Sequence, residues 1–74
     1  MGIKFYKLLD LLNRKGINKE ELRKRTNISS STMAKLSKNE YVSLKVIESI
    51  CKELNCQPGD IMEYISEEDK KARD

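Results

Sequence analysis

The chain has 74 residues, a net charge of +3 and no histidine, which is enough for one small domain and for only a limited core. No apolar run approaches the roughly 18 residues that cross a bilayer, and no secretion signal begins the chain, so we expect a cytoplasmic protein without membrane association. Two cysteines are too few for a zinc site, and the sequence has neither a glycine-rich phosphate loop nor a recognisable nucleophile–base pair. We therefore expect no metal, no cofactor and no enzymatic activity.

The charges are unevenly distributed along the chain. Residues 1–40 carry ten lysines and arginines against four acids, a net charge of +6, whereas residues 41–74 carry five against eight, a net charge of −3. A basic half beside an acidic half favours one surface that faces a polyanion, although ordinary surface charges could also be distributed in this way.

The first 27 residues predict two helices. Apolar residues spaced i, i+3, i+4 and i+7 from Phe5 predict a first helix from about Phe5 to Lys15, and Gly16 ends it. Asn18 is a good N-cap for a second helix from about Lys19 to Thr26, with Glu21 at the capping-box position. Asn27 ends that helix because asparagine enters the left-handed conformation at modest cost.

The stretch "NISSSTMAKL" predicts a third helix with a hydroxyl-bearing front. Ser29 is its expected N-cap, and the helix should run from Ser30 to about Ser37. Met33 and Leu36 point inward in this prediction. The polar residues left outside are Ser30, Ser31, Thr32 and Lys35.

The second half of the chain predicts two further helices. Ser43 caps a fourth helix that Asn55 closes, with a stripe of Leu44, Ile47, Cys51 and Leu54 flanked by Val46 and Ile50. Pro58 is expected to begin a short fifth helix with Ile61, Met62 and Ile65 on its apolar side. We expect one domain over residues 1–66 and a charged, disordered tail over residues 67–74.

The connection between the second and third helices carries the functional prediction. Only Asn27, Ile28 and Ser29 separate two short helices, so the helices must cross steeply, as in a helix-turn-helix. In that geometry the third helix presents its N-terminal residues to base edges in the major groove of DNA. Small hydroxyl side chains allow close approach and form hydrogen bonds with bases or phosphates.

The segment from "INKEELRKRTNISSSTMAKL" to "LNCQPGDIMEYI" resembles the Cro/C1-type (Xre-family) helix-turn-helix domain, and its short single-domain subgroup most of all, over residues 4–65. The resemblance implies an all-α, five-helix bundle of the lambda-repressor-like type. It also implies a transcriptional regulator that binds specific double-stranded DNA, commonly as a homodimer on an inverted repeat. The base-reading positions fall on Ser30, Ser31 and Lys35. The phosphate-contacting positions fall on Lys19, Thr32, Lys38 and Asn39.

Three residues depart from the family pattern. The family often has glutamine where Ser30 stands, so base recognition here would be shorter in range. A small residue is common where Arg23 stands, and a bulky charged residue must point outward or spread the two helices. The glycine usual in the turn is replaced by Asn27.

Other interpretations remain open from the sequence alone. The bundle could instead be a protein-interaction module, antitoxin-like or regulator-binding, in which case Val46, Ile50 or Met62 should be exposed. The run Arg23–Arg25 is more typical of a solvated helix face than of a phosphate clamp. For Cys51 and Cys56 we expect buried reduced thiols rather than an intermolecular disulfide.

Overall fold

A computed structural model describes residues 2–66, and the tail predicted over residues 67–74 lies outside them. Four α-helices form most of the described chain: α1 Tyr6–Lys15, α2 Lys19–Thr26, α3 Ser30–Ser37 and α4 Leu44–Leu54. Two short strands, β1 Gly2–Lys4 and β2 Glu63–Ile65, and one turn of 3₁₀ helix at Pro58–Asp60 complete it. No helix within residues 2–66 is long and apolar enough to span a membrane.

Side-chain caps begin three of the helices at the predicted residues. Asn18 Oδ1 accepts the Glu21 N–H at 2.7 Å at the start of α2. At the start of α3, Ser29 Oγ accepts the Thr32 N–H. At the start of α4, Ser43 Oγ accepts the Val46 N–H at 3.3 Å. Each cap satisfies a backbone donor that has no partner inside the helix, so these residues fix where the helices start.

All four α-helices end with the same backbone motif. A residue in the left-handed region follows each helix, and the N–H of the next residue donates to the carbonyl five residues earlier. The left-handed residues are Gly16, Asn27, Asn39 and Asn55, with φ of 71°, 60°, 60° and 53°. The donor–acceptor pairs are Ile17–Leu12, Ile28–Arg23, Glu40–Lys35 and Cys56–Cys51, at 3.0, 3.2, 2.8 and 3.0 Å.

The core draws one fully buried side chain from each α-helix and one from the segment before β2. These five are Leu8, Leu22, Leu36, Ile50 and Ile61. Burial of one such side chain contributes about 1.5–3 kcal/mol. The helices are therefore held mainly by this shared core, because helices of 8 to 11 residues are marginal on their own.

The prediction of an all-α, five-helix bundle is wrong for the last element. Ile61 is buried as expected, but the following residues are extended, and Glu63–Ile65 pairs antiparallel with Gly2–Lys4. The sequence suggested a helix here because Ile61 and Ile65 are four residues apart, which is a helical spacing. A strand of three residues is too short to show the alternation of apolar and polar residues that would have indicated a strand. The fold is mostly helical, with four α-helices and a two-stranded sheet in the described residues.

The apolar side of α4 is rotated from the predicted stripe. Ile47, Ile50 and Leu54 are its buried residues, whereas Leu44 is 78% exposed. These three positions follow the i, i+3, i+7 rule, which places Ile50 at the centre of the face. Val46 and Met62 are half-buried and pack against the core, and Ile50 is fully buried in it. The three apolar residues whose exposure would have indicated an interaction module therefore contribute to the protein's own core.

Candidate nucleic-acid interface

The corner between α2 and α3 is fixed by packing underneath it. Ile28 is 7% exposed at the corner, and Leu22, Met33 and Leu36 are buried on the two helices beside it. Left-handed Asn27 turns the chain, and the Ile28 N–H donates to the Arg23 carbonyl. These contacts produce the predicted helix-turn-helix and direct the opposite side of α3 to solvent.

The exposed side of α3 carries most of the predicted contact residues. Ser30, Ser31 and Lys35 are exposed, and Thr32 is half-buried. Met33 and Leu36 form the buried side, as the sequence predicts. The structure therefore brings the three predicted base-reading side chains to one solvent-facing surface.

The hydroxyl groups at the front of α3 differ in their hydrogen bonding. Ser29 Oγ accepts the Thr32 N–H at 3.2 Å and donates to Thr32 Oγ1 at 2.9 Å. Ser29 Oγ also lies 3.1 Å from Ser31 Oγ. The Ser30 hydroxyl has no hydrogen-bond partner among residues 2–66, so it is the hydroxyl most available to a ligand.

The cationic side chains fall into two groups. The three arginines among residues 2–66 form ion pairs on the helix surfaces: Arg14 with Asp10, Arg23 with Glu20, and Arg25 with Glu21 and Glu53. The predicted contact lysines Lys19, Lys35 and Lys38 are exposed and pair with no carboxylate in the described part of the chain. An unpaired lysine keeps its full charge available for a polyanion.

Arg23 forms an ion pair with Glu20 on its own helix, and its side chain is 28% exposed. Its Nε donates to Glu20 Oε1 at 3.1 Å, and its Nη2 donates to the second carboxylate oxygen. This hydrogen bonding raises the pKa of Arg23 and lowers the pKa of Glu20. The charged group is therefore held beside Glu20, one turn earlier on α2.

Asn39 has a structural contact that the sequence did not reveal. Its Oδ1 accepts the backbone N–H of Phe5 at 2.7 Å, a contact that spans 34 positions of the chain. The residue is half-buried and its φ is 60°. Only its side-chain NH₂ group is left to donate to another molecule.

Two concave surfaces flank α3. A cleft of about 380 Å³ lies beside its N-terminus and includes Ser29, Thr32, Ser43 and Lys45 among its lining residues. A second, of about 400 Å³, lies at its C-terminus and is lined by Ile3, Lys35, Asn39, Glu40 and Tyr41. Lys45 was not among the predicted contact residues, because its place beside α3 depends on how α4 packs.

The described residues contain no group of three or more histidine, cysteine, aspartate or glutamate side chains arranged to hold a metal ion.

Comparison with known proteins identifies this arrangement. Residues 7–67 match the Cro/C1-type HTH DNA-binding domain. The chain belongs to this family. The Cro/C1-type chain is 39% identical over 61 residues to the uncharacterized HTH-type transcriptional regulator YozG of Bacillus subtilis (strain 168). That match covers 80% of this chain and 73% of the relative.

A solved structure is also similar to this Cro/C1-type protein. The crystal structure of the transcriptional regulator VanUg, Form II, is 47% identical and superposes with a TM-score of 0.86, over 89% of this chain and 88% of that chain. The family and both relatives support one function: the protein is a DNA-binding transcriptional regulator, and its partner is double-stranded DNA.

Proposed function

We propose that α3 enters the major groove of a specific DNA sequence with its N-terminal end leading. The observation that carries this proposal is the two-sided character of α3: Met33 and Leu36 form its buried side, and its exposed side carries hydroxyl groups, one lysine and the small Ala34 with no acidic residue. Ser30, Ser31 and Lys35 read base edges in this arrangement. Lys19, Thr32, Lys38 and Asn39 contact phosphates.

The base-reading residues have different reaches. The serine hydroxyls are short, so Ser30 and Ser31 contact bases only where α3 lies deep in the groove, directly or through a bridging water molecule. Lys35 lies one helical turn beyond Ser31 and has a long side chain that reaches the N7 and O6 acceptors of guanine. Ser30 and Lys35 have no partners within the described chain, so binding does not have to break a protein contact to recruit them.

The phosphate-contacting residues lie at the ends of the two helices. Lys19 is the first residue of α2, where the partly positive helix end adds to its charge. Lys38 follows the last residue of α3, and Asn39 can donate from its free NH₂ group. Contacts at both ends of the motif would fix the register of α3 on the duplex.

We further propose that the regulator acts in the cytoplasm as a homodimer on an inverted repeat. A twofold dimer presents two copies of α3 to half-sites about one helical turn apart, which doubles the contacts available to a domain this small.

The test begins with selection of bound duplexes from a random DNA pool by the full chain. The recovered sites should share a motif with two symmetric halves, and fluorescence anisotropy should show much tighter binding to that motif than to a scrambled duplex. Affinity should also fall linearly with salt on a log–log plot. Recovery of no common sequence, or equal affinity for the scrambled duplex, would contradict the proposal.

A further inference from the structure

The end of α4 brings the two cysteines of the chain together. Asn55 is left-handed, and the Cys56 N–H donates to the Cys51 carbonyl at 3.0 Å. With standard bond lengths this hydrogen bond limits the separation of the two Cα atoms to about 7 Å. Cysteines whose Cα atoms lie more than about 7 Å apart cannot be bridged without backbone movement, and this hydrogen bond keeps Cys51 and Cys56 at or below that limit.

The same motif ends every α-helix, but its side chains differ. The motif commonly places the side chains of its donor and acceptor residues in contact, usually as an apolar pair. At the end of α1 that pair is Ile17 and Leu12, and at α4 it is Cys56 and Cys51. At the end of α4 the two residues are cysteines, and the Cys51 side chain acts on the Cys56 thiol through its charge and hydrogen bonding.

Both thiols are free, and both residues are only half-buried. Cys56 also lines an open cleft of about 550 Å³, together with Lys15 and Asp60. Burial, the neighbouring Cys51 thiol and Asp60 raise the pKa of Cys56 to about 11, against an opposing effect of Lys15. At neutral pH Cys56 is a thiol, and its thiolate fraction increases as the pH rises toward its pKa, where half of it is ionised.

We propose that Cys51 and Cys56 form a reversible intrachain disulfide by exchange with a low-molecular-weight disulfide. One thiolate attacks the reactant and forms a mixed disulfide, which releases one small thiol. The second cysteine thiolate then attacks the protein sulfur of the mixed disulfide and releases the other small thiol. The chain loses two protons and two electrons, and the reactant disulfide is reduced to two thiols.

The disulfide would close a loop of six residues, Cys51 to Cys56, and would fasten the end of α4 to the segment that leads into β2. Neither cysteine is among the residues proposed to contact DNA. Formation of the bridge is therefore independent of the proposed DNA-binding mode, and either can fail without the other.

The test uses the full reduced chain incubated with oxidised glutathione at pH 7, 8 and 9, with mass spectrometry of the intact chain. The mass of the wild type should fall by that of two hydrogen atoms, with no covalent dimer formed. Treatment with dithiothreitol should restore the original mass. The variants Cys51→Ser and Cys56→Ser should each stop at a single glutathione adduct. Formation of the bridge should accelerate from pH 7 to pH 9, because thiolate is the nucleophile.

Three results would overturn the proposal. The wild type could carry two glutathione groups, form covalent dimers or remain unreacted at pH 9. Thermal unfolding followed by circular dichroism provides a further check, since a bridge that fits the native backbone should not lower the melting temperature. An oxidised chain that unfolds at a lower temperature than the reduced chain would show that the fold does not accommodate the bridge.

Discussion

Asn39 Oδ1 accepts the backbone N–H of Phe5 at 2.7 Å and so joins the end of α3 to the start of α1. Met33 and Leu36 hold the buried side of α3, and this hydrogen bond holds its C-terminal end. The orientation of α3 is therefore set at two places, one apolar and one polar. A residue proposed to contact phosphate therefore also positions the helix proposed to read bases.

These two roles of Asn39 can be separated by substitution. Asn39→Ala removes the oxygen that accepts the Phe5 N–H, and alanine adopts the left-handed backbone conformation at a higher cost than asparagine. The substitution should therefore lower the free energy of unfolding by about 1–3 kcal/mol. Asn39→Asp keeps an acceptor oxygen and should retain most of the stability. It should nevertheless weaken DNA binding, because its carboxylate replaces an NH₂ donor with a negative charge near phosphate.

Urea unfolding and anisotropy titrations on the selected operator would measure both effects of substitution at Asn39. Equal losses of stability in Asn39→Ala and Asn39→Asp would show that the contact with Phe5 contributes little. Unchanged DNA affinity in Asn39→Asp would remove Asn39 from the phosphate contacts.

Lys19 should contribute to affinity without contributing to sequence preference. If Lys19 neutralises one phosphate per protomer, Lys19→Ala should make the slope of log K against log[salt] shallower by about one per protomer. The matched control is Lys52→Ala, which removes an exposed lysine from the last turn of α4 and should leave the slope unchanged. Identical slopes in the wild type and both variants would contradict the placement of Lys19 on the DNA backbone.

Asn27 offers a test of the corner that supports α3. Its φ of 60° is easier for glycine than for asparagine, so Asn27→Gly should raise the free energy of unfolding by about 0.5–1 kcal/mol. Asn27→Ala should lower it by a similar amount, since alanine lacks the local hydrogen bonding that helps asparagine in this region. Urea denaturation of the wild type and both variants would measure these free energies of unfolding. If Asn27→Ala were more stable than Asn27→Gly, the corner would not depend on the left-handed conformation of residue 27.

Arg25 should matter little for DNA binding despite its charge. Its guanidinium pairs with Glu21 on its own helix and with Glu53 of α4 at 3.7 Å, and its side chain is 43% exposed. Arg25→Gln should therefore change the free energy of unfolding by no more than about 1 kcal/mol. Operator affinity should change far less than it does in Lys35→Ala, and an equal loss in both variants would place Arg25 on the DNA.

The helix boundaries could be predicted because the signals that set them are local. Asn18, Ser29 and Ser43 satisfy backbone donors within three residues, and asparagines 27 and 55 turn the chain where the helices end. The strands could not be predicted in the same way. Gly2–Lys4 pairs with residues more than 55 positions away, and Ile61 and Ile65 have a spacing that also fits a helix.

The exposure of the proposed base-reading residues could be predicted from the sequence, whereas the hydrogen bonds around them could not. The exposure of Ser30, Ser31 and Lys35 follows from the helical period once Met33 and Leu36 are assigned to the core. The contact between Asn39 and Phe5, and the position of Lys45 beside α3, depend on how distant elements pack. No pattern within a single helix carries that information.

The most direct test of major-groove insertion replaces guanine with 7-deazaguanine at each position of the selected operator, which removes the N7 acceptor and leaves base pairing intact. Anisotropy titrations would compare the wild type with Lys35→Ala on each duplex. We predict that one guanine in each half-site weakens wild-type binding by about tenfold or more when N7 is removed, and that the same replacement has no further effect on Lys35→Ala. Losses that are equal in the two proteins, or no sensitivity at any guanine, would contradict the placement of Lys35 in the groove.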